Sequence, residues 1–289
     1  MPSLRIIALT ALTMLAFAGN SLLCRLALQE TAIDPASFTS IRLASGALLL
    51  WLVVRCGRSG RSGRSGRGDW RSAGALFAYA AGFSFAYLSL TAATGALLLF
   101  AAVQATMIGA ALWRGERLLR LQVVGLLLAL AGLVGLLLPG LAAPPPAGAL
   151  LMLGAGVAWG VYSLRGAGAS HPTLVTAGNF LRAALLALLP SLLLWPRLSL
   201  DGAGVGYAIA SGALASALAY AIWYAVLPAL TATRAASVQL SVPVLAALGG
   251  VVLLGEPLTL RLVLASLAIL CGIALVLRGR FRDAVAGGS

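Results

Sequence analysis

Long apolar runs dominate the chain, near residues 4–28, 36–55, 71–90, 92–113, 119–138, 147–165, 172–195, 203–227, 231–254 and 259–277. Each is close to the roughly 20 residues that a helix needs to cross a bilayer core. The pattern predicts an all-α membrane protein of ten transmembrane helices joined by short loops. Gly and Ala pervade the runs, as expected where helices approach closely in lipid. The first run mimics a signal peptide, with Arg5, an apolar stretch and Ala16-Phe17-Ala18. A partner for this segment later in the chain argues that it is retained.

Composition supports lipid as the solvent. The 289 residues are 61% hydrophobic and 9% charged, with mean hydropathy +1.02. A soluble domain carries nearer a quarter charged residues. The net charge is +13, and all 20 basic residues are Arg. They sit mostly at run ends, where topology determinants belong. No soluble domain is present to display a basic nucleic-acid surface. With the N-terminus placed in the cytoplasm, fifteen arginines fall on inside regions. These are Arg5, Arg55, Arg58, Arg61, Arg64, Arg67, Arg71, Arg114, Arg117, Arg120, Arg165, Arg234, Arg278, Arg280 and Arg282. Only Arg197 and Arg261 fall outside, and Arg25, Arg42 and Arg182 lie within spans. Both termini are therefore expected in the cytoplasm, in a bacterial-type inner membrane.

Two connectors differ in character. The Gly-Arg-Ser repeat over 57–68 reads as a solvated inside loop that anchors topology, able to meet anionic headgroups. The Pro-rich stretch at 139–148 reads as a stiff external link. It divides a first five-helix unit (1–140) and a connector (141–146) from a second unit (147–277) and a cytoplasmic tail (278–289).

A shift of about 140 residues superimposes the halves. Gly115-Glu116-Arg117-Leu118 lies over Gly255-Glu256-Pro257-Leu258. Phe38 to Arg42 lies over Gly178 to Arg182, and Ala18-Gly19-Asn20 over Ala158-Trp159-Gly160. Asp34-Pro35 and His171-Pro172 each precede a second span. An odd number of spans inverts the second copy, so Glu116 faces the cytoplasm and Glu256 the outside. Inverted repeats place a solute site near the midplane. In these features the chain resembles the drug/metabolite transporter superfamily, in its EamA group. That family has ten helices in two five-helix repeats, each ending in a Gly-Glu step before its last helix. The second copy, with Pro243 and Gly255-Glu256, is similar to the family pattern. The first departs from it, since Val103-Gln104 carries no proline. The aromatic arrangement is similar to that of the amino-acid exporter branch. The resemblance implies export of amino acids, metabolites or toxic compounds.

Several chemistries are excluded. Without Lys there is no Walker-A lysine and no Schiff base. The one His, His171, stands at a helix start, and no GxSxG or HExxH occurs. Cys24, Cys56 and Cys271 lack metal or disulfide spacing. No enzyme activity, metal or cofactor is expected. The seven acids, Glu30, Asp34, Asp69, Glu116, Asp201, Glu256 and Asp283, lie at or near span ends. Proton- or sodium-coupled carriers commonly place a carboxylate mid-membrane. Facilitated diffusion or exchange is therefore expected.

Solute-binding candidates are the mid-span polar and aromatic residues. Tyr79 and Phe83 share a face of the third span with Tyr87, and Trp159 and Tyr162 share one in the sixth. Tyr220 and Tyr224 cluster with Trp223 in the eighth. Asn20 with Ser21, Gln104, and Gln239 with Ser237 add amides and hydroxyls. An aromatic wall with a few such groups suits a small zwitterion with an apolar side chain. Tyr87, Trp51, Trp70, Trp113 and Trp195 are expected in the interfacial belts. Arg42 lies about 9 Å into its span at 1.5 Å per residue, shallow enough to snorkel. Arg182 is its repeat equivalent, and one of the two could hold a solute carboxylate as a bidentate pair, the structural role being favoured for Arg42 and left open for Arg182. Gly125, Gly132 and Gly135 are expected to serve helix packing. The expected partners are a small-molecule substrate and membrane lipid. The oligomeric state stays open, a monomer being compatible with the sequence. A carrier of drug-like or nucleotide-sugar solutes and a non-transporting membrane scaffold are the alternatives.

Overall fold

The computed structural model describes residues 4–56, 68–113, 115, 119–138, 140, 143–166, 169, 171–226, 229–230 and 238–286, with side chains to residue 276. The described residues are helical, without strands. In chain order the helices are α1 (Leu4–Glu30), α2 (Pro35–Cys56), α3 (Trp70–Ala86), α4 (Ala92–Trp113) and α5 (Arg120–Leu137). They continue as α6 (Pro146–Gly166), α7 (Pro172–Leu193), α8 (Gly202–Val226), α9 (Ser241–Leu254) and α10 (Leu260–Ala286). Seven of them, α1, α2 and α4 to α8, are long and apolar enough to cross a membrane. Apolar side chains such as Leu127, Leu193 and Val252 face outward, whereas Asn20, Thr39, Arg42 and Asn179 are buried. That inversion of a soluble protein's pattern leaves lipid as the solvent for the outer faces.

Aspartates start three of the helices. Asp34 caps α2, its carboxylate accepting from the amides of Ala36 and Ser37 at 3.0 and 2.9 Å. The same carboxylate accepts from Ser199 N at 3.1 Å, which ties the α1–α2 and α7–α8 links together. Burial pushes the Asp34 pKa up, but the hydrogen bonds from Ser37, Ser199 and Ala36 outweigh it and hold the group below the usual carboxylate range. Asp69 caps α3, accepting from Ser72 N at 3.0 Å and Ser72 Oγ at 2.6 Å. Arg165, at the end of α6, pairs with Asp69 at 2.9 Å. Asp201 caps α8 through Gly204 N at 3.3 Å. His171 occupies the N-cap position of α7, before Pro172.

Packing partners occur in matched pairs. Helix α2 packs on α7, and α5 on α10. Contacts of α3 with α6 are matched by those of α8 with α1, and contacts of α4 with α6 by those of α9 with α1. Between α5 and α10 the backbones nearly touch. A Cβ on Gly125 would stand 2.5 Å from Gly272 O, and one on Gly132 2.8 Å from Ala268 Cβ. Gly135 differs from the expectation, because a Cβ there meets nothing within 4 Å. Its carbonyl instead accepts from Arg261 Nε at 2.9 Å, and Arg261 also reaches Leu138 O, so this arginine satisfies the end of α5. Helix α8 has a π-helical stretch over Ala210–Leu218. There a Cβ on Gly212 would overlap the Arg42 carbonyl, so α8 crosses α2 in backbone contact.

The Gly-Glu step of the second half has a structural role. Gly255 ends α9 in the left-handed region (φ +62°), and Glu256 N donates back to Gly250 O at 3.0 Å. The turn folds the Glu256 side chain over Gly250, where an added Cβ would stand 2.6 Å from its carboxylate. Both oxygens then accept from Ala92 N, at 3.1 and 2.8 Å, at the positive end of α4. Arg25 of α1 pairs with the same carboxylate at 3.0 Å and donates to Tyr87 O at 2.9 Å. One carboxylate thus fastens α1, α4 and α9. Its sequence counterpart, Glu116, lies outside the described residues. Tyr87 is a correction to the belt expectation: it is buried against Phe83, ring centroids 4.8 Å apart, and its ring fills the space beside Gly95. Trp51, Trp70, Trp113 and Trp195 remain exposed.

Two outcomes follow from these contacts. Replacing Gly125 by Leu is expected to cost about 1–3 kcal/mol or more through overpacking, lowering Tm in detergent. Gly135→Ala should leave Tm unchanged or slightly raised. Equal losses at both positions would contradict the assigned α5–α10 contact. Separately, Ser72's hydrogen bonds, with help from Arg165, lower the Asp69 carboxyl to about 2. A lowered pKa stabilises the fold above the ordinary carboxylate value, and this benefit is lost as pH falls through about 2. The Tm gap between the parent and Asp69→Asn should therefore be open at pH 6 and close as pH approaches 2, as thermal melts across that range would record.

Candidate functional site

Several of the polar groups that the helices carry inward meet at one place. Phe17, Asn20 and Ser21 come from α1, Tyr79 and Phe83 from α3, and Leu99 and Phe100 from α4. Trp159 comes from α6, Ala215 and Tyr220 from α8, and Gln239 from the segment before α9. Together they line a cavity of about 30 Å³, room for two or so waters at about 10–15 Å³ each. Among the described residues this space is too small for an amino acid, so a solute of that size needs the surrounding helices to separate.

Aromatic rings form most of the wall. Trp159 is central, 4.8 Å from Tyr79, 5.0 Å from Tyr220 and 5.5 Å from Tyr162 between ring centroids. Tyr79 leans on Phe83 at 5.4 Å, and Phe17 meets Tyr220 edge-on at 5.8 Å. Such offset and edge contacts hold rings in place more firmly than area burial alone. The polar side is a hydrogen-bonded chain. Ser211 Oγ donates to Asn20 Oδ1 at 2.7 Å, and Asn20 Nδ2 donates to Tyr79 Oη at 3.3 Å. Each amide and hydroxyl is thereby satisfied away from water, as burial in lipid demands.

The same hydroxyl accepts from Arg42 Nη2 at 3.1 Å, and Ser216 Oγ lies 3.4 Å from that nitrogen. The guanidinium stands over the rings of Tyr79 and Phe83, 5.2 and 4.9 Å from their centroids. Arg42 is 1% exposed. Snorkelling, expected from its depth along α2, does not occur. Helices α3 and α8 close over that face of α2, and the side chain runs into the bundle instead of along it.

Six of the ten sequence candidates line the cavity: Asn20, Tyr79, Phe83, Trp159, Tyr220 and Gln239. Tyr162 stacks behind Trp159 and is buried. Tyr224 is half-buried on α8, outside the lining. Gln104 is buried in α4 but also stands outside it. Arg182 is elsewhere, donating to Gly178 O at 2.9 Å and standing 5.8 Å from the exposed Trp70 ring. It lines an apolar groove between α2 and α7, with Leu48 and Trp51. Phe17, Phe100, Ser211 and Ser216 went unselected in the sequence, since lone Phe and Ser residues are common in apolar helices. Ser237 lies outside the described residues. Among the described residues no three His, Cys, Asp or Glu side chains gather as a metal site.

An uncharacterized protein of Pseudomonas aeruginosa is 59% identical over 289 residues, covering 100% of each chain. A crystal structure of a protein 24% identical superposes with a TM-score of 0.65, covering 94% of this chain and 97% of that one. At that identity the likeness shows the fold alone. Residues 146–278, from the first residue of α6 into α10, match the EamA-like transporter family. The second half of the chain is thus an EamA-like transporter family domain, within a chain that is kin to its Pseudomonas relative over its full length.

Proposed function

We propose that this multi-pass membrane transporter exports amino acids, aromatic ones included, or related metabolites across the inner membrane. It works by alternating access between two inverted five-helix repeats. The observation that carries this reading is the cavity, in which rings of Tyr79, Trp159 and Tyr220 face the Asn20 amide. A zwitterion with an apolar side chain needs both surfaces. The lining comes from α1, α3 and α4 on one side and α6 and α8 on the other, so a rocking of halves would open it. The matched packing pairs support the repeat arrangement of ten spans. The arginine distribution supports cytoplasmic termini.

Transport runs down the solute's own gradient or by exchange. Asp34, Asp69 and Asp201 cap helices, and Glu256 is held by Arg25 and the α4 N-terminus. These carboxylates hold structure at helix ends rather than carrying protons through the centre.

Counterflow in proteoliposomes tests the reading, with a panel of amino acids, nucleotide sugars and drug-like solutes. Amino acids are expected to exchange without a pH gradient. Trp159→Ala should slow exchange at least tenfold, while Gln104→Ala, outside the lining, should stay within twofold of the parent. Normal exchange by Trp159→Ala, or a strict requirement for the pH gradient, would defeat it.

A further inference from the structure

Arg42 is the one arginine among the described residues that is fully buried, at 1% exposure. A guanidinium stays protonated in proteins, so burial cannot neutralise it. Among the described residues no carboxylate faces it. Its surroundings from the neighbouring helices are Tyr79 and Phe83 of α3, Ser216 and Tyr220 of α8, and Cys24 of α1. Every described acid with a placed side chain belongs to a helix end instead. Nη2 meets only neutral oxygens, on Tyr79 at 3.1 Å and Ser216 at 3.4 Å. Nη1 has no hydrogen-bond partner among the described residues. Three of the cation's four neighbours from α3 and α8, Tyr79, Phe83 and Tyr220, are also cavity wall.

A buried cation with a vacant donor beside a solute cavity lacks an anion. We infer that Arg42 binds the carboxylate of the transported solute, which makes the substrate class aromatic or apolar carboxylates. This rests on the proposed carrier function and narrows it. As the helices part, the carboxylate takes Nη1 and Nη2 as a bidentate pair. The Tyr79 hydroxyl and Ser216 give up their contacts with Nη2. The solute's apolar part then lies against Trp159 and Tyr220. Arg182, the sequence equivalent, cannot share the role from the groove between α2 and α7.

The test uses tryptophan, indole-3-propionate, which lacks the amine, and tryptamine, which lacks the carboxylate. Counterflow is measured for the parent, Arg42→Lys and Arg42→Gln. The parent should exchange tryptophan and indole-3-propionate at least tenfold faster than tryptamine. Arg42→Gln should lose at least tenfold for both carboxylates, and Arg42→Lys should retain part of that rate. Thermal melts without solute separate binding from folding. Arg42→Gln should unfold at the parent's temperature or above it, because an unpaired buried charge has gone. Equal exchange of tryptophan and tryptamine by the parent would overturn the assignment while leaving an amino-acid carrier standing. Exchange of indole-3-propionate but not tryptophan, lost in Arg42→Gln, would support it while defeating the amino-acid reading. Parent-like carboxylate exchange by Arg42→Gln would also overturn it, as would a lower melting temperature for that variant.

Discussion

Arg42 lies at the meeting of α2, α3 and α8, with its guanidinium against Tyr79, Phe83 and Ser216. Desolvating such an ion costs several kcal/mol even after relaxation. Cation–π contacts with two rings return about 0.5–2 kcal/mol each. A hydrogen bond from a charged donor returns about 1.5–3 kcal/mol. These gains come near the cost without clearly exceeding it. The polar centre is arranged accordingly: Ser211 orients Asn20, Asn20 and Arg42 share the Tyr79 hydroxyl, and Trp159 holds the Tyr79 ring. Moving the cation would disturb this whole chain, so its position constrains the wall of the cavity.

The periphery solves a different problem. Backbone groups at helix ends need partners where water is scarce. Glu256 serves the start of α4, Asp34 the start of α2 and a neighbouring link, and Arg261 the end of α5. Because Glu256 also holds Arg25, the end of α1 is bound to α4 and α9. The contact combines an ion pair with a helix dipole. Separating α1 from α4 and α9 would have to undo both.

Much of this was legible in the sequence. Apolar run length located the helices to within a residue or two at α4, α5 and α8. Spacing of four put Tyr79 and Phe83 on one face, and both line the cavity. The same spacing could not say where that face leaves the cavity, so Tyr87 was placed at the interface although it is buried beneath α4. Depth along α2 mispredicted Arg42, because depth says nothing about which neighbouring helix covers a side chain. Repeat equivalence linked Arg182 to Arg42, yet one faces a groove and the other the centre. The Gly-Glu step was visible as a repeated motif. Its target, the Ala92 amide, lies 164 residues away and is a product of the fold. The π-helical stretch of α8 left only a run of small residues as its trace.

Access to the central cavity is the claim on which the account stands. Ala215 lines it and is buried. In a background with Cys24, Cys56 and Cys271 replaced, Ala215→Cys can be challenged with a membrane-impermeant thiol reagent from either face of the membrane. The account predicts labelling from each side in turn and protection by saturating aromatic amino acid. A thiol that reacts from neither side, with or without solute, would contradict it and leave a sealed scaffold.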